Sequence, residues 1–201
     1  MRKSVSKIIN KEVNNMELKE KIEKYIPYNK QEKNDKKTIL DYMNKFDNLL
    51  TRENEVAHFT ASAWTVNKER TKVLMIYHKI YNSWSWTGGH ADGDTNLLYT
   101  AVRELKEETG IEKVNILKDD IFSLETICVN GHIKRGKYVS SHLHFNLTYL
   151  LEVDEKEELK IKEDENSGVK WIDIEDIDKY VTEKWMIDNI YSKLKEKVGC
   201  L

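Results

Sequence analysis

Residues 88–111 read GGHADGDTNLLYTAVRELKEETGI. Glycines stand at 88, 89 and 93, and from there neither Gly nor Pro interrupts the chain until Gly110. Leu98, Ala101, Val102 and Leu105 recur at helical spacing. The segment therefore demands a tight loop followed by a helix over 97–109 with one buried face. Asp94 or Thr95 is placed to cap the start of that helix, and Gly110 to end it. Gly88, Gly89 and Gly93 let the backbone turn sharply and come close to a ligand.

The same helix carries Glu104, Glu107 and Glu108. At about 100° per residue they fall within an arc of roughly 100° beside the apolar stripe. Like charges at these spacings repel by a few tenths of a kcal/mol per pair, and by more where the rim is partly buried. A cation should offset them. Hard divalent ions such as Mg²⁺ or Mn²⁺ take oxygen ligands of this kind. Arg103 is placed to pair with one carboxylate and fix its rotamer. Only Lys106 lies inside the cluster, too few cations for an ordinary solvated face of ion pairs.

Around this unit the periodicity changes twice. Leu18, Ile22, Tyr25 and Ile26 recur at helical spacing up to Pro27, and Ile39, Leu40, Met43, Phe46, Leu49 and Leu50 do so again. Two helices are expected, joined by the polar stretch 29–37. Residues 56–66 and 71–78 are β-rich and separated by the turn sequence 67–70, which reads as a hairpin. Its second strand is apolar on both faces, as a central strand covered by helices would be. Strands follow at 121–130, 138–153 and 169–172, and helices at 174–179 and 182–197. The simplest assembly is α+β, a mixed sheet between helices in an α/β/α arrangement with an N-terminal helical extension. The expected division is 1–50 for the extension and 51–201 for the main domain.

With 33 basic against 35 acidic residues the net charge is −2, so no global field favours a stable nucleic-acid complex. Cys128 and Cys200 make no disulfide framework. The basic N-terminus lacks the apolar run of a secretory signal and nothing approaches a membrane span, so a cytoplasmic protein is expected. Met16 opens a second plausible start, which would leave the first fifteen residues with little structural role.

Gly89, Arg103, Glu104, Leu105, Glu107, Glu108, Gly110 and Ile111 stand in the register of a long pattern: Gly, five residues, Glu, seven residues, then Arg-Glu-apolar-x-Glu-Glu-x-Gly-apolar. On these residues the segment resembles the Nudix box of the Nudix hydrolase (MutT-like) family, and the strand order from about residue 55 to 195 resembles the Nudix fold. One position departs from it. Thr95 stands where the family has its first Glu, with Asp94 and Asp92 close enough to take over a supporting role.

The resemblance implies a pyrophosphohydrolase acting on a nucleoside diphosphate linked to another group, or on a related nucleotide, with water activated by Mg²⁺ or Mn²⁺. By analogy Glu104, Glu107 and Glu108 carry the metal, with the Gly88 carbonyl as an extra ligand. Glu104 is also a candidate for activating water. Charge neutralisation, an oriented nucleophile and a stabilised leaving group are what a stable anhydride requires. Two rivals stand beside it: a catalytically weak Nudix-fold binding or regulatory domain, and an isoprenyl diphosphate isomerase-like enzyme that retains the diphosphate.

Further candidates lie outside the box. In the stretch HLHFNLTYLLEV apolar and polar residues alternate, and the polar face places His142 and His144 to contact substrate, with hydrogen-bonded filler as the equal alternative. A His-x-His pair also suits a transition metal, but no third ligand stands at a recognisable spacing. Glu165, before the last strand, is the candidate for a further Glu that many Nudix enzymes use as ligand or base. Trp84 and Trp86 are placed to stack on a base, though core positions are the commoner fate of such residues. Lys134, Arg135 and Lys137 form a basic hairpin tip. The N-terminal helices need a partner surface: their own domain, a homodimer interface or the cleft.

Overall fold

The computed structural model describes residues 16–79, 82–134, 136–162 and 166–201. Residues 16–24 form helix α1, followed by α2 (Lys30–Met43). The strands are β1 (Ala57–Val66), β2 (Lys72–His78), β3 (Ser83–Ser85), β4 (Thr87–His90), β5 (Asn115–Ile116), β6 (Ser123–Val129), β7 (His132–Lys134), β8 (Lys137–Val139), β9 (His142–Glu152) and β10 (Asn166–Asp173). Helix α3 (Leu97–Thr109) lies between β4 and β5. After β10 come a 3₁₀ turn (Ile174–Asp176), α4 (Ile177–Tyr180), α5 (Lys184–Met186), a π turn (Ile187–Tyr191) and α6 (Ser192–Gly199).

Hydrogen bonding orders the strands β10-β2-β1-β9-β5, with β3 on β2, β4 on β1 and β6 on β9. The β1–β2, β2–β10, β2–β3 and β5–β9 pairs are antiparallel. The direction of β1 against β9 follows from two bonds. Leu143 N–H donates to the Val56 carbonyl at 2.9 Å and Val153 N–H to that of Val66 at 3.1 Å, so start meets start and end meets end. The two strands run parallel, and the sheet is mixed, in an α+β fold.

The chain clusters into two compact units, and β1 and β9 contribute residues to both. The first contains the described residues up to Thr60, with His90–Leu97 and Ser123–Leu147. Here α2 packs on β6. The Asn29 side chain accepts the Glu32 N–H at 2.9 Å, capping α2 just after Pro27. Stretch 29–37 is thus the cap and first turns of α2, not the polar connection expected from its composition. The reason is Glu32, fully buried although charged. Its carboxylate accepts the Tyr25 hydroxyl at 2.6 Å, the Tyr28 N–H at 2.7 Å and the Ser123 hydroxyl at 2.8 Å. The Ser123 hydroxyl also lies against Glu125, which accepts Asn146 Nδ2 at 3.1 Å, and Thr60 donates to Asn146 Oδ1 at 3.0 Å. The polar face of β9 at Asn146 is therefore part of a buried network.

The second unit comprises Ala61–Gly89, Leu98–Phe122 and the described residues from Thr148 onward. Its hairpin forms as expected, with Val66 paired to Val73. In the turn, Asn67 Oδ1 accepts the N–H groups of Thr71 and Lys72, both at 2.9 Å, and Arg70 takes a φ of 58°. Val73, Leu74, Met75 and Ile76 are at most 1% exposed, so β2 is buried on both faces. Beyond β10 the expected pair of helices is broken into shorter turns, and the π turn brings Tyr191 against Trp64 and Trp86 at centroid distances of 5.6 and 5.5 Å. Among the described residues no helix is long and apolar enough to cross a membrane.

Candidate functional site

Helix α3 runs over the span its sequence demands, 97–109. Leu97, Ala101 and Leu105 are buried, which turns Arg103, Glu104, Glu107 and Glu108 to the rim. Gly110, at a φ of 74°, ends the helix by donating to the Lys106 carbonyl at 2.9 Å. That left-handed geometry suits glycine. Asp94 Oδ1 accepts the Asn96 N–H at 2.8 Å and so fixes the entry to the helix. In the first unit Arg52 clamps Asp92 through two bonds of 2.8 and 2.9 Å.

Each carboxylate on the rim has a distinct environment. Arg103 bridges Glu104 at 2.9 Å and Glu107 at 3.4 Å, and Lys162 approaches Glu107 at 3.5 Å. The cationic offset demanded by the repulsion thus comes from Arg103 and Lys162. Glu108 is 3% exposed and accepts the Gly88 N–H at 3.0 Å, while Asn166 Nδ2 donates to the Glu108 carbonyl at 3.0 Å. A Cβ on Gly88 would stand 2.6 Å from the Ala61 carbonyl oxygen, and one on Gly89 would overlap the carboxylate of Glu104. Both glycines are therefore required for close approach: Gly88 to β1 and Gly89 to Glu104. The three carboxylates are hard oxygen donors of the kind a divalent cation takes, but they do not converge here: Glu104 and Glu107 share Arg103, Glu108 is turned to the Gly88 N–H, and among the described residues the three do not place one oxygen each within 4.8 Å of one another.

The remaining sequence candidates separate. Trp84 is half-buried, edge-on to Tyr77 at 5.5 Å and beneath Lys170 Nζ at 4.5 Å. Trp86 is 8% exposed and packs edge-on against Tyr191, a core position with no free face for stacking. Glu165 and Arg135 lie outside the described residues.

His142 and His144 meet two histidines that the sequence reading did not single out. The His58 ring lies 5.1 Å from His90, 4.9 Å from His142 and 5.0 Å from His144, and His90 lies 5.0 Å from His144. Burial lowers the pKa of all of His58, His90 and His144. His90 falls to about 3 and His144 to about 2, the neighbouring imidazoles adding to the effect. All three stand neutral at pH 7. The missed partners are 32 residues apart in number (58 and 90) and meet only through strand pairing. All 6 of the chain's histidines lie on strands, so position on a strand did not by itself mark the four that meet.

Known proteins resemble this chain in sequence and in fold. The sequence pattern of the NUDIX domain matches residues 56–194. An RNA pyrophosphohydrolase from Pelagibacter ubique is 34% identical over 120 residues, spanning 58% of this chain and 75% of that protein. Among solved structures, a C. elegans Ap4A hydrolase binary complex superposes with a TM-score of 0.51 at 21% identity, covering 71% of this chain and 95% of that one. A Nudix hydrolase from M. smegmatis, RenU, gives 0.52 at 13% identity over 72% and 87%. The NUDIX domain match and the RNA pyrophosphohydrolase relative together support an enzyme of the pyrophosphohydrolase class, acting on acid anhydride bonds. The chain belongs to the NUDIX family.

Proposed function

We propose that this protein is a Mg²⁺- or Mn²⁺-dependent hydrolase that cleaves the phosphoanhydride bond of a nucleoside diphosphate linked to another group, or of a related small nucleotide. Residues 51–201 are its catalytic domain and 1–50 an extension. The observation that carries the reading is the paired anchoring on the rim of α3: Glu108 held by the Gly88 N–H and Glu104 seated on Gly89.

Glu104, Glu107, Glu108 and the Gly88 carbonyl are the groups that would hold the cation, with Glu165 as a further acid. Once bound, such a cation neutralises the diphosphate and lowers the pKa of water. Glu104 is the candidate to take a proton from the attacking water, because Arg103 holds its carboxylate at 2.9 Å. Arg103 is a positioning residue, joining Glu104 to Glu107. Thr95 supplies no carboxylate, and Asp94 is committed to the entry of α3. Asp92 is likewise committed, to Arg52.

The RNA pyrophosphohydrolase relative adds RNA to the candidate substrates. The near-balanced charge of −2 favours the small nucleotide over a long polyanion. The test is turnover of a panel with Mg²⁺ and Mn²⁺: nucleoside triphosphates, nucleotide sugars, ADP-ribose, dinucleoside polyphosphates, NADH and a 5′-triphosphorylated RNA. One class is expected to show a kcat/KM far above the rest. No cation-dependent cleavage of any anhydride would overturn the proposal.

A further inference from the structure

We propose that His58, His90 and His144, with His142 as the fourth ligand, bind one transition-metal ion of the zinc class. The site differs in chemistry from the carboxylates of α3 and is independent of the function proposed above.

The four side chains come from β1, β4 and β9. One ring nitrogen from each of His58, His90 and His144 lies within 4.8 Å of the other two, and this is the one such group of three or more ligands among the described residues. The His142 and His144 Nε2 atoms are 3.2 Å apart. Nitrogens at the usual Zn–N distance on a tetrahedral ion are separated by about 3.3 Å. That pair stands at the length of one such edge, and His142, which lies outside the group of three, joins as the fourth ligand by rotation of its ring.

The proton positions support the same conclusion. His58 Nδ1 lies 3.1 Å from the Asn54 carbonyl and His142 Nδ1 lies 2.8 Å from that of Ser140. A carbonyl only accepts, so in both rings Nδ1 carries the proton and Nε2 keeps its lone pair. Backbone carbonyls orient metal-binding imidazoles in this way. His58 is 4% exposed and its Nε2 has no hydrogen-bond partner, a buried lone pair on one of the three clustered rings. An ion supplies what that atom lacks.

The environment selects the ion. Four imidazoles are nitrogen donors, which suit Zn²⁺, Co²⁺, Ni²⁺ or Cu²⁺ and are poor ligands for Mg²⁺. His90 and His144 are only partly buried, which leaves a path for entry. With four protein nitrogens the site is closed, the pattern of a structural rather than a catalytic ion.

The experiment uses the full chain, stripped with a chelator and titrated with Zn²⁺ in excess Mg²⁺, followed by calorimetry and by the melting temperature. About one Zn²⁺ per chain is expected, with a rise in melting temperature, and Co²⁺ should give the visible absorption of a tetrahedral nitrogen site. His90→Gln and His144→Gln should each weaken Zn²⁺ binding by about 100-fold or more, while His78→Gln, outside the cluster, leaves it unchanged. If a cluster variant fails to fold, the Co²⁺ spectrum and the shifts of the histidine ring nitrogens in the wild-type chain still decide. Absence of Zn²⁺ binding, an octahedral Co²⁺ spectrum, or full binding by both folded variants would overturn the proposal.

Discussion

The carboxylate of Glu104 occupies the space that a side chain on Gly89 would need. Arg103 holds that carboxylate at 2.9 Å. The glycine is thus required for the placement of the acid rather than for backbone freedom, since Gly89 is not among the residues of positive φ. Gly89→Ala should leave the fold intact by circular dichroism and lower kcat by about tenfold or more, because small misplacements of a reacting group are costly. An unchanged kcat would mean that Glu104 need not sit where it does.

Arg103 touches two of the three rim acids, and its side chain is about one-third exposed at 34%. Exposed ion pairs contribute only about 0–1 kcal/mol to stability. Arg103→Ala should therefore barely move the melting temperature and should lower kcat by about tenfold or more. Arg103→Lys, which keeps the charge but loses the two-pronged geometry, should recover only part of it. Steady-state kinetics beside a thermal melt separates this positioning role from a structural one.

Glu32 receives three hydrogen bonds at full burial, from Tyr25, Tyr28 and Ser123. Glu32→Ala leaves those donors without an acceptor and should cost about 2–3 kcal/mol, read from urea unfolding. A loss near zero would show that the extension is not held through this residue.

This network also shows where the sequence could and could not be read. Helix α3 was legible at both ends, because an apolar stripe, the absence of Gly and Pro, and Gly110 all act locally. The box acids were legible for the same reason, being neighbours on one helix. Stretch 29–37 was misread because a buried Glu looks like an exposed one until Ser123, 91 residues away, supplies its partner. The histidine cluster was half-read, since His142 and His144 are adjacent on one strand and His58 and His90 join them only through the sheet.

Burial, reinforced by the Glu32 charge, raises the Tyr25 hydroxyl well above the ordinary phenol value of 10.0. The folded state therefore keeps the proton that the unfolded chain releases. Tyr25 contributes its stability below pH 10 and loses it as pH rises from there toward the folded value. Denaturation midpoints of the wild type should fall more steeply between about pH 9.5 and 11 than those of Tyr25→Phe, which has no proton to lose there. Parallel curves would remove Tyr25 from the alkaline response.

The most direct test of the proposed chemistry is cation-dependent turnover of the best nucleotide substrate by Glu107→Gln and Glu108→Gln beside the wild type. Glutamine keeps an oxygen able to accept the Gly88 N–H, so Glu108→Gln retains the bond seen at 3.0 Å while losing the charge. Both variants should fold with unchanged circular dichroism and lose about a hundredfold or more in turnover at saturating Mg²⁺ or Mn²⁺. Wild-type turnover in both would contradict the assignment of these carboxylates to the cation.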